Sequence, residues 1–404
     1  MNFTKTLYTF KYDLHTEINF TGGYGEVSKK VGEKEKENPK PPEPIPEKSI
    51  EEIAKEAIPK ITVLGVGGAG CNIATWLMEK GGISGARVIA LNSDAQHLSV
   101  TKADRRILIG YRVTRGLGCG GYPEQGAKAA EEDAEIISKE IGDSGLVFLV
   151  AGLGGGTGTG ALPVIAKLAK EQGALTISVV TIPFQVERAR LLKAKEGLKR
   201  LVEVADATIV IDNNRLRKVA GNLPLREAFG VANELIALFV KNLSETIAVP
   251  SLVNMDFADL RSIMTKGGVC AIGVGEGSGE TKIEDSVNFA LNNQLLDIGD
   301  IGKAEGALIH VEGGDDMTLE DVNRVGELVI NRISPSAKVS WGARVNSSMT
   351  GKIRTTVVLR SVGSPFLIEE LPAFSTVGEI PKEEVEVEVR EEGKKKGIFG
   401  GIFK

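Results

Sequence analysis

The sequence predicts an α/β fold: a Rossmann-like domain on a parallel sheet, a long central helix and a smaller α+β C-terminal domain. Three observations carry this reading. Apolar, β-branched runs alternate with helix-period stretches between residues 61 and 211. Glycine-rich or polar loops follow most of these runs. Leu225–Glu245 then holds a helical pattern without a break. Strands that are apolar along their whole length, spaced by helices, belong to a parallel sheet covered on both faces.

Taken in order, residues 1–58 read as a largely disordered extension. Residues 24–58 carry runs of Lys and Glu, with Pro41, Pro42, Pro44 and Pro46 among them, which suits a solvated linker. Leu7, Tyr8, Phe10 and Tyr12 nearly alternate and suggest one short element. The strand candidates are Ile61–Val66, Arg87–Leu91, Leu146–Ala151, Leu175–Thr181 and Thr208–Ile211, with helices over Glu124–Ile141 and Ala161–Gln172. Beyond the long helix, Ala307–Glu312, Leu319–Arg332 and Lys352–Leu359 mix strand and helix patterns. Residues 379–396 alternate Glu and Val and then turn basic, a second spacer, followed by Gly397-Ile398-Phe399-Gly400-Gly401-Ile402-Phe403-Lys404.

Composition narrows the function classes. A chain of 404 residues exceeds what one core organises, so two globular domains and tails are expected. A net charge of -5 argues against nucleic acid as a partner. Cys71, Cys119 and Cys270 are far apart and form no CxxC pair, which excludes a disulfide framework or zinc site and points to a reducing cytosol. His15, His97 and His310 are equally scattered. No apolar run is long enough to span a bilayer, and the N-terminus has no continuous apolar signal-peptide core.

Three glycine loops carry the chemistry. Gly65-Val66-Gly67-Gly68-Ala69-Gly70-Cys71-Asn72 follows a strand and opens a helix in the GxGxxG pattern, which sets a pyrophosphate on a helix N-terminus. Alone, with Asp94 near the end of the next strand as a ribose-binding acid, it reads equally well as a nicotinamide dinucleotide site. The second loop, Gly154-Gly155-Gly156-Thr157-Gly158-Thr159-Gly160, places five glycines in seven positions after another strand. Successive backbone N–H groups there can converge on one anion, and the two threonine hydroxyls add donors. A Cβ at Gly156 is expected to push a phosphate out. The third loop runs from Gly116 through Cys119, Gly120 and Gly121 to Glu124. No GxxxxGK[ST] is present, so a triphosphate would be held by amides, hydroxyls, helix dipoles and a bound Mg²⁺, without a gripping lysine.

Over residues 60–365 these motifs resemble the tubulin/FtsZ family, and Thr159 in GGGTGTG places the resemblance on the FtsZ side. With the long N-terminal extension it suggests a specialised archaeal paralogue. The resemblance implies the tubulin/FtsZ fold: a GTP-binding domain (59–223), a central helix (224–248), a C-terminal activation domain (249–365) and a flexible tail (366–404). It implies GTP and GDP as ligands, with Mg²⁺ bound alongside. Gly67, Gly68, Ala69, Gly70, Cys71 and Asn72 would meet the α- and β-phosphates, and Asn92 and Asp94 would lie near the phosphates and Mg²⁺. Cys119, Gly120 and Gly121 would sense the γ-phosphate beside the cradle of Gly155, Gly156, Thr157, Gly158 and Thr159. Glu187 would bind ribose, Phe229 would stack on guanine, and Asn213 and Asn233 would bond to it. Carboxamides both donate and accept, so two asparagines can read guanine where adenine would leave partners unpaired.

Two departures from the family pattern stand out. Glu187-Arg188-Ala189-Arg190 replaces an EGxxR run, so Arg190 is the first candidate for the nucleotide-binding arginine and Arg188 the second. An ion pair between Glu187 and Arg190 on a helix surface is the simpler reading of the same residues. Asp212 stands where proline is common, which would alter the loop ahead of Asn213.

Asn254-Met255-Asp256-Phe257-Ala258-Asp259 matches the family's NxDFxD loop. On spacing alone, Asp256 reads as a helix N-cap with Asp259 on the same face. The resemblance implies instead that Asp256 and Asp259, with Asn254, complete hydrolysis in the next subunit of a head-to-tail homopolymer. It further implies a cytoplasmic protein concentrated at the mid-cell division ring, whose tail docks a SepF-like membrane adaptor. Two other readings stay open: a nicotinamide-dependent oxidoreductase, which leaves loops 154–160 and 254–260 without a role, and an assembling relative that hydrolyses poorly.

Overall fold

The computed structural model describes residues 49, 58–83, 85–248, 257–292 and 300–367. The chain divides into two units, residues 1–49 and 50–404, and apart from Ser49 everything described here belongs to the second. The pattern at Leu7–Tyr12, both spacers and the 397–404 segment lie outside the described residues.

All five anticipated strands form: β1 (Ile61–Val66), β2 (Ala86–Asn92), β4 (Leu146–Gly152), β5 (Leu175–Ile182) and β6 (Ala207–Asp212). A short β3 (Arg105–Leu108), not anticipated, joins them beside β2. The order is β3-β2-β1-β4-β5-β6, all parallel. Residues 146–151 of β4 are buried, which is why that run shows no polar alternation. The order reverses between β1 and β4. In such sheets a crevice opens beyond the carboxyl ends of the strands at that point.

The helices that flank this sheet are α1 (Gly67–Glu79), α2 (Ala95–Val100), α3 (Tyr111–Thr114), α4 (Pro123–Glu132), α5 (Ala134–Ile141), α6 (Thr157–Glu171), α7 (Arg188–Val204) and α8 (Asn213–Ala220). The single helix expected over Glu124–Ile141 is two helices, α4 and α5. Asp133 leaves helical geometry between them (φ -108°, ψ 24°), and its carboxylate accepts the Gly110 N–H at 2.7 Å. A tertiary bond thus breaks a run whose local pattern is continuous. Helices α4 and α6 pack backbone to backbone. A Cβ on Gly160 would stand 1.8 Å from the Pro123 carbonyl oxygen, and one on Gly126 would stand 2.3 Å from that of Gly156.

The long helix forms as α9 (Leu225–Ala248), 24 residues or about 36 Å. It docks on α1 where Gly230 faces Trp76, whose ring lies 3.1 Å from the position of an added Cβ. The Trp76 indole N–H donates to Glu234 Oε2 at 2.7 Å. Beyond α9 come α10 (Phe257–Met264), β7 (Gly268–Ser278), α11 (Lys282–Leu291), β8 (Gly306–Gly313), α12 (Leu319–Ile330), β9 (Lys338–Val345) and β10 (Lys352–Arg360). β7 joins the two halves of the sheet, pairing parallel with β6 at its start and antiparallel with β10 over eight residues. Gly273, Gly275 and Gly277 of β7 face α11. Added Cβ atoms there would meet the carbonyl oxygens of Ala290, Ser286 and Lys282 at 1.6, 2.0 and 2.1 Å. A period-2 glycine stripe therefore lets a helix backbone lie directly on a strand.

Candidate functional site

The carboxyl ends of β1, β4, β5 and β6 surround an open cleft of about 370 Å³. Its floor is where two helices begin. β1 runs into α1 at Gly67, and β4 runs through Gly152–Gly156 into α6 at Thr157. The two N-termini meet: Gly67 has φ +71°, and a Cβ on it would stand 2.8 Å from the Gly158 amide nitrogen. The first N–H groups of a helix lack intrahelical acceptors, and each N-terminus carries about half a positive charge. Two of them converging make an anion site from backbone alone.

The glycines divide by what a side chain would strike. Gly155 lines the cleft, and a Cβ there meets no protein atom within 4 Å. Gly156 also lines it, but its added Cβ would point at Cys119 Cβ (2.6 Å) and the Tyr122 nitrogen (3.0 Å). The expectation that a side chain at 156 intrudes on a phosphate is therefore corrected: it would displace the 116–122 loop instead. Gly68, Ala69, Thr157 and Gly158 line the cleft as well. Gly70 packs inward, its Cβ position 2.4 Å from Val150 O.

Other predicted residues turn away from the opening. Cys71 is buried with its thiol 3.9 Å from Leu91 O, and burial pushes its pKa up to about 11. Thr159 is buried, and its hydroxyl accepts the Gly154 N–H at 2.8 Å, which shapes the loop from beneath. Cys119 is buried with its sulfur 3.2 Å from Ser93 Oγ, which lies 2.7 Å from Thr157 Oγ1. Ser93 thus ties the 154–160 loop to the 116–124 loop, a role its place between Asn92 and Asp94 does not reveal. Gly120 and Gly121 have φ of +57° and +79°, and Lys193 Nζ donates to the Gly121 carbonyl.

Asp94, Asn92 and Asn72 are not among the residues that line the cleft; Asp94 caps α2 by accepting the His97 N–H at 3.0 Å. Asn92 and Asn72 both bond to the His97 ring, at 3.2 and 3.1 Å. Among the described residues no group of three or more His, Cys, Asp or Glu side chains could hold a metal ion.

Pro183, Phe184, Glu187, Arg190, Asn213 and Phe229 also line the cleft. Glu187 accepts the Phe184 N–H at 3.2 Å and pairs with Arg190 at 2.6 Å. Arg190 therefore both reaches the cleft and makes the surface ion pair, while Arg188 is not among the lining residues. Phe229, at the start of α9, meets Phe184 edge-on with centroids 6.2 Å apart. Asn233 sits one turn further along the same face, half-buried and outside the lining. Asp212 is the N-cap of α8, accepting the Asn214 N–H at 2.8 Å, and Asn214 Oδ1 accepts the Gln185 N–H at 2.8 Å. The residue in place of proline thus fixes the loop that presents Asn213. An Asp-Asn-Asn run before a helix is a legible cap signal.

Asn254 and Asp256 lie outside the described residues. Asp259 is half-buried in the first turn of α10. That helix packs at the amino ends of the strands, opposite the cleft. Phe257 Cε1 is 3.5 Å from the Cβ position of Gly145, and Arg261 Nη2 donates to Gly173 O at 2.8 Å. Gly145 and Gly173 precede β4 and β5, whereas the cleft lies beyond their far ends. A seven-residue strand spans about 20 Å.

Comparison with known proteins shows the family. Residues 60–221 match the model of the tubulin/FtsZ family GTPase domain, and residues 268–363 match the FtsZ family C-terminal domain. The chain is 48% identical over 342 residues to cell division protein FtsZ 2 of Methanocaldococcus jannaschii, covering 84% of this chain and 89% of that one. It is similar in structure to the empty FtsZ dimer of M. jannaschii, with a TM-score of 0.71 and 46% identity over 77% of this chain and 90% of that one. It also resembles CetZ2 from Haloferax volcanii, solved as a GTPγS-bound protofilament, with a TM-score of 0.66 and 25% identity over 76% and 95% of the two chains.

Proposed function

Because this chain belongs to the FtsZ family, we propose that it is a cell-division GTPase whose subunits stack head to tail, each completing the hydrolytic site of its neighbour. The observation that carries this is the separation just described. The cleft offers an anion cradle at the carboxyl ends of the strands, and Asp259 sits on α10 at their amino ends. About 20 Å of sheet keeps Asp259 from its own nucleotide. A subunit stacked on the cleft would bring its own amino-end face, with Asp259 and the adjoining Asn254 and Asp256, over the phosphates. Contacts of this heterologous kind do not close and so generate filaments. The dimer and protofilament known for similar proteins are in keeping with this.

The amides at the starts of α1 and α6 would hold the phosphates, and Thr157 would add its hydroxyl. Glu187 would take the ribose and Phe229 and Asn213 the guanine, with Asn233 one turn behind. Asp94 is the carboxylate that the phosphate end offers to Mg²⁺. Bound there, Mg²⁺ would neutralise phosphate charge. Asp256 and Asp259 of the adjoining subunit would orient and polarise the attacking water. No helix among the described residues is long and apolar enough to cross a membrane. Recruitment to a mid-cell ring would run through the 394–404 segment, with its apolar Ile398, Phe399, Ile402 and Phe403, and a membrane adaptor of the SepF kind.

The test is complementation. Asp256→Ala and Asp259→Ala subunits should bind GTP and assemble, and hydrolyse it about a hundredfold more slowly. Mixed with a subunit defective in the cradle, they should regain turnover at mixed junctions. Turnover per subunit that stays constant below the assembly threshold would mean that the acids act within one chain.

A further inference from the structure

The ring of His97 is clamped between two carboxamides, and the hydrogen bonds fix their direction. Asn92 Oδ1 accepts the Asp94 N–H at 3.3 Å, so Nδ2 is the atom that Asn92 turns to His97 Nδ1 at 3.2 Å. An amide nitrogen only donates, which makes Nδ1 the lone-pair nitrogen and puts the proton on Nε2. Nε2–H then donates to Asn72 Oδ1 at 3.1 Å. The chain of bonds runs one way, from a buried asparagine at the end of β2 to an exposed one on α1.

The backbone that carries the His97 ring is anchored from two sides. The His97 N–H donates to Asp94 Oδ1 at 3.0 Å, and the Thr101 hydroxyl donates to the His97 carbonyl at 2.9 Å. Its Cε1 and Nδ1 lie 3.6 Å from the Cβ position of Gly68, a residue of the cleft floor. With its carbonyl oxygen committed to the ring, Asn72 has only its NH₂ to offer a ligand. A carboxamide free to rotate would present oxygen half the time and repel an anion.

We propose that His97 is a positioning residue of the phosphate cradle: it relays a fixed donor direction from Asn92 to Asn72, so that Asn72 presents its NH₂ to a phosphate oxygen. This rests on the nucleotide reading of the cleft. The role needs one acceptor and one donor on the ring, not an aromatic shape. Glutamine carries both in its carboxamide, whereas phenylalanine keeps the bulk and loses both.

The experiment is calorimetric titration of the full chain with GDP, which reads affinity without hydrolysis, alongside thermal unfolding of each variant. Loss of an oriented bond to a charged oxygen should weaken GDP by about tenfold or more in His97→Phe. His97→Gln should restore affinity to within about threefold of the unsubstituted protein. Asn72→Ala should cost about as much as His97→Phe, and the double variant no more than Asn72→Ala alone, because the two act through one bond. Wild-type affinity in His97→Phe, no rescue by glutamine, or additive losses would overturn the proposal. Should His97→Phe fail to fold, ¹⁵N-histidine spectra of the unsubstituted protein decide: a neutral ring protonated on Nδ1 overturns it. If the unsubstituted protein itself binds no GDP, the nucleotide reading fails first, and that outcome is distinct from all of these.

Discussion

Replacing Gly155 with alanine separates ligand effects from fold effects more cleanly than any other change in the cradle. Gly155 lines the cleft, its φ is outside the left-handed region, and an added Cβ meets no protein atom within 4 Å. Without strain or collision, Gly→Ala should stabilise the protein by about 0.4–1 kcal/mol, because the unfolded chain loses freedom. For a protein of this size that is a rise of roughly 1–3 °C in Tm. The methyl would occupy space from which a phosphate oxygen reaches the backbone. Losing one hydrogen bond to a charged group costs about 1.5–3 kcal/mol, a ten- to hundredfold fall in affinity. Gly160→Ala is the opposite case. Its Cβ would stand 1.8 Å from the Pro123 carbonyl oxygen, a backbone atom that cannot swing away. It should lose about 3 kcal/mol of stability, roughly 5–10 °C. Nucleotide titration beside differential scanning calorimetry reads both. A Gly155→Ala protein that is more stable and binds GTP unchanged would show that the 154–158 loop does not touch the phosphates.

Three further outcomes are expected. GTP should bind at least about a hundredfold more tightly than ATP, as when buried polar groups lose their partners, and equal binding by calorimetry would remove Asn213 and Asn233 as base readers. His310 of β8 is buried with no partner for Nε2, and burial lowers its pKa to about 4. The unfolded chain binds that proton near pH 6.5, so stability is full above about 6.5 and falls by up to about 3 kcal/mol as pH drops towards 4. His310→Phe should flatten that acid limb, and an unchanged limb in urea titrations would refute the assignment. Deleting residues 394–404 should leave assembly intact in vitro and abolish recruitment by a SepF-like adaptor or the membrane, and unchanged recruitment would rule out the segment as a docking peptide.

Much of the fold was legible because its signals are local. β1 was read to the residue, and β2, β4, β5 and β6 to within a residue at each end, since strands buried on both faces are apolar throughout. What the sequence hid was set at a distance. Asp133 breaks the α4–α5 run only because the Gly110 N–H needs an acceptor. β3 is four residues long and two of them are arginines, Arg105 and Arg106, so it has no apolar run to find. Ser93 and His97 lay inside or beside a recognised motif, but their roles depend on Thr157, Cys119 and Asn72, which are far away in sequence.

Glycine shows most clearly why a motif is not yet a site. The letter is the same at 67, 155, 156, 160, 273, 275 and 277, and the physical demand differs. Gly67 is needed for its positive φ and for the close approach of two helix starts. Gly160 and the β7 stripe admit another backbone where no Cβ fits. Gly156 clears the neighbouring loop, and Gly155 alone among these faces open space. A glycine-rich loop after a buried strand therefore marks a place where backbones converge, and that convergence is what concentrates unpaired N–H groups on an anion. Most of the glycines serve that approach, and the ligand is read by the few positions where nothing of the protein stands in the way.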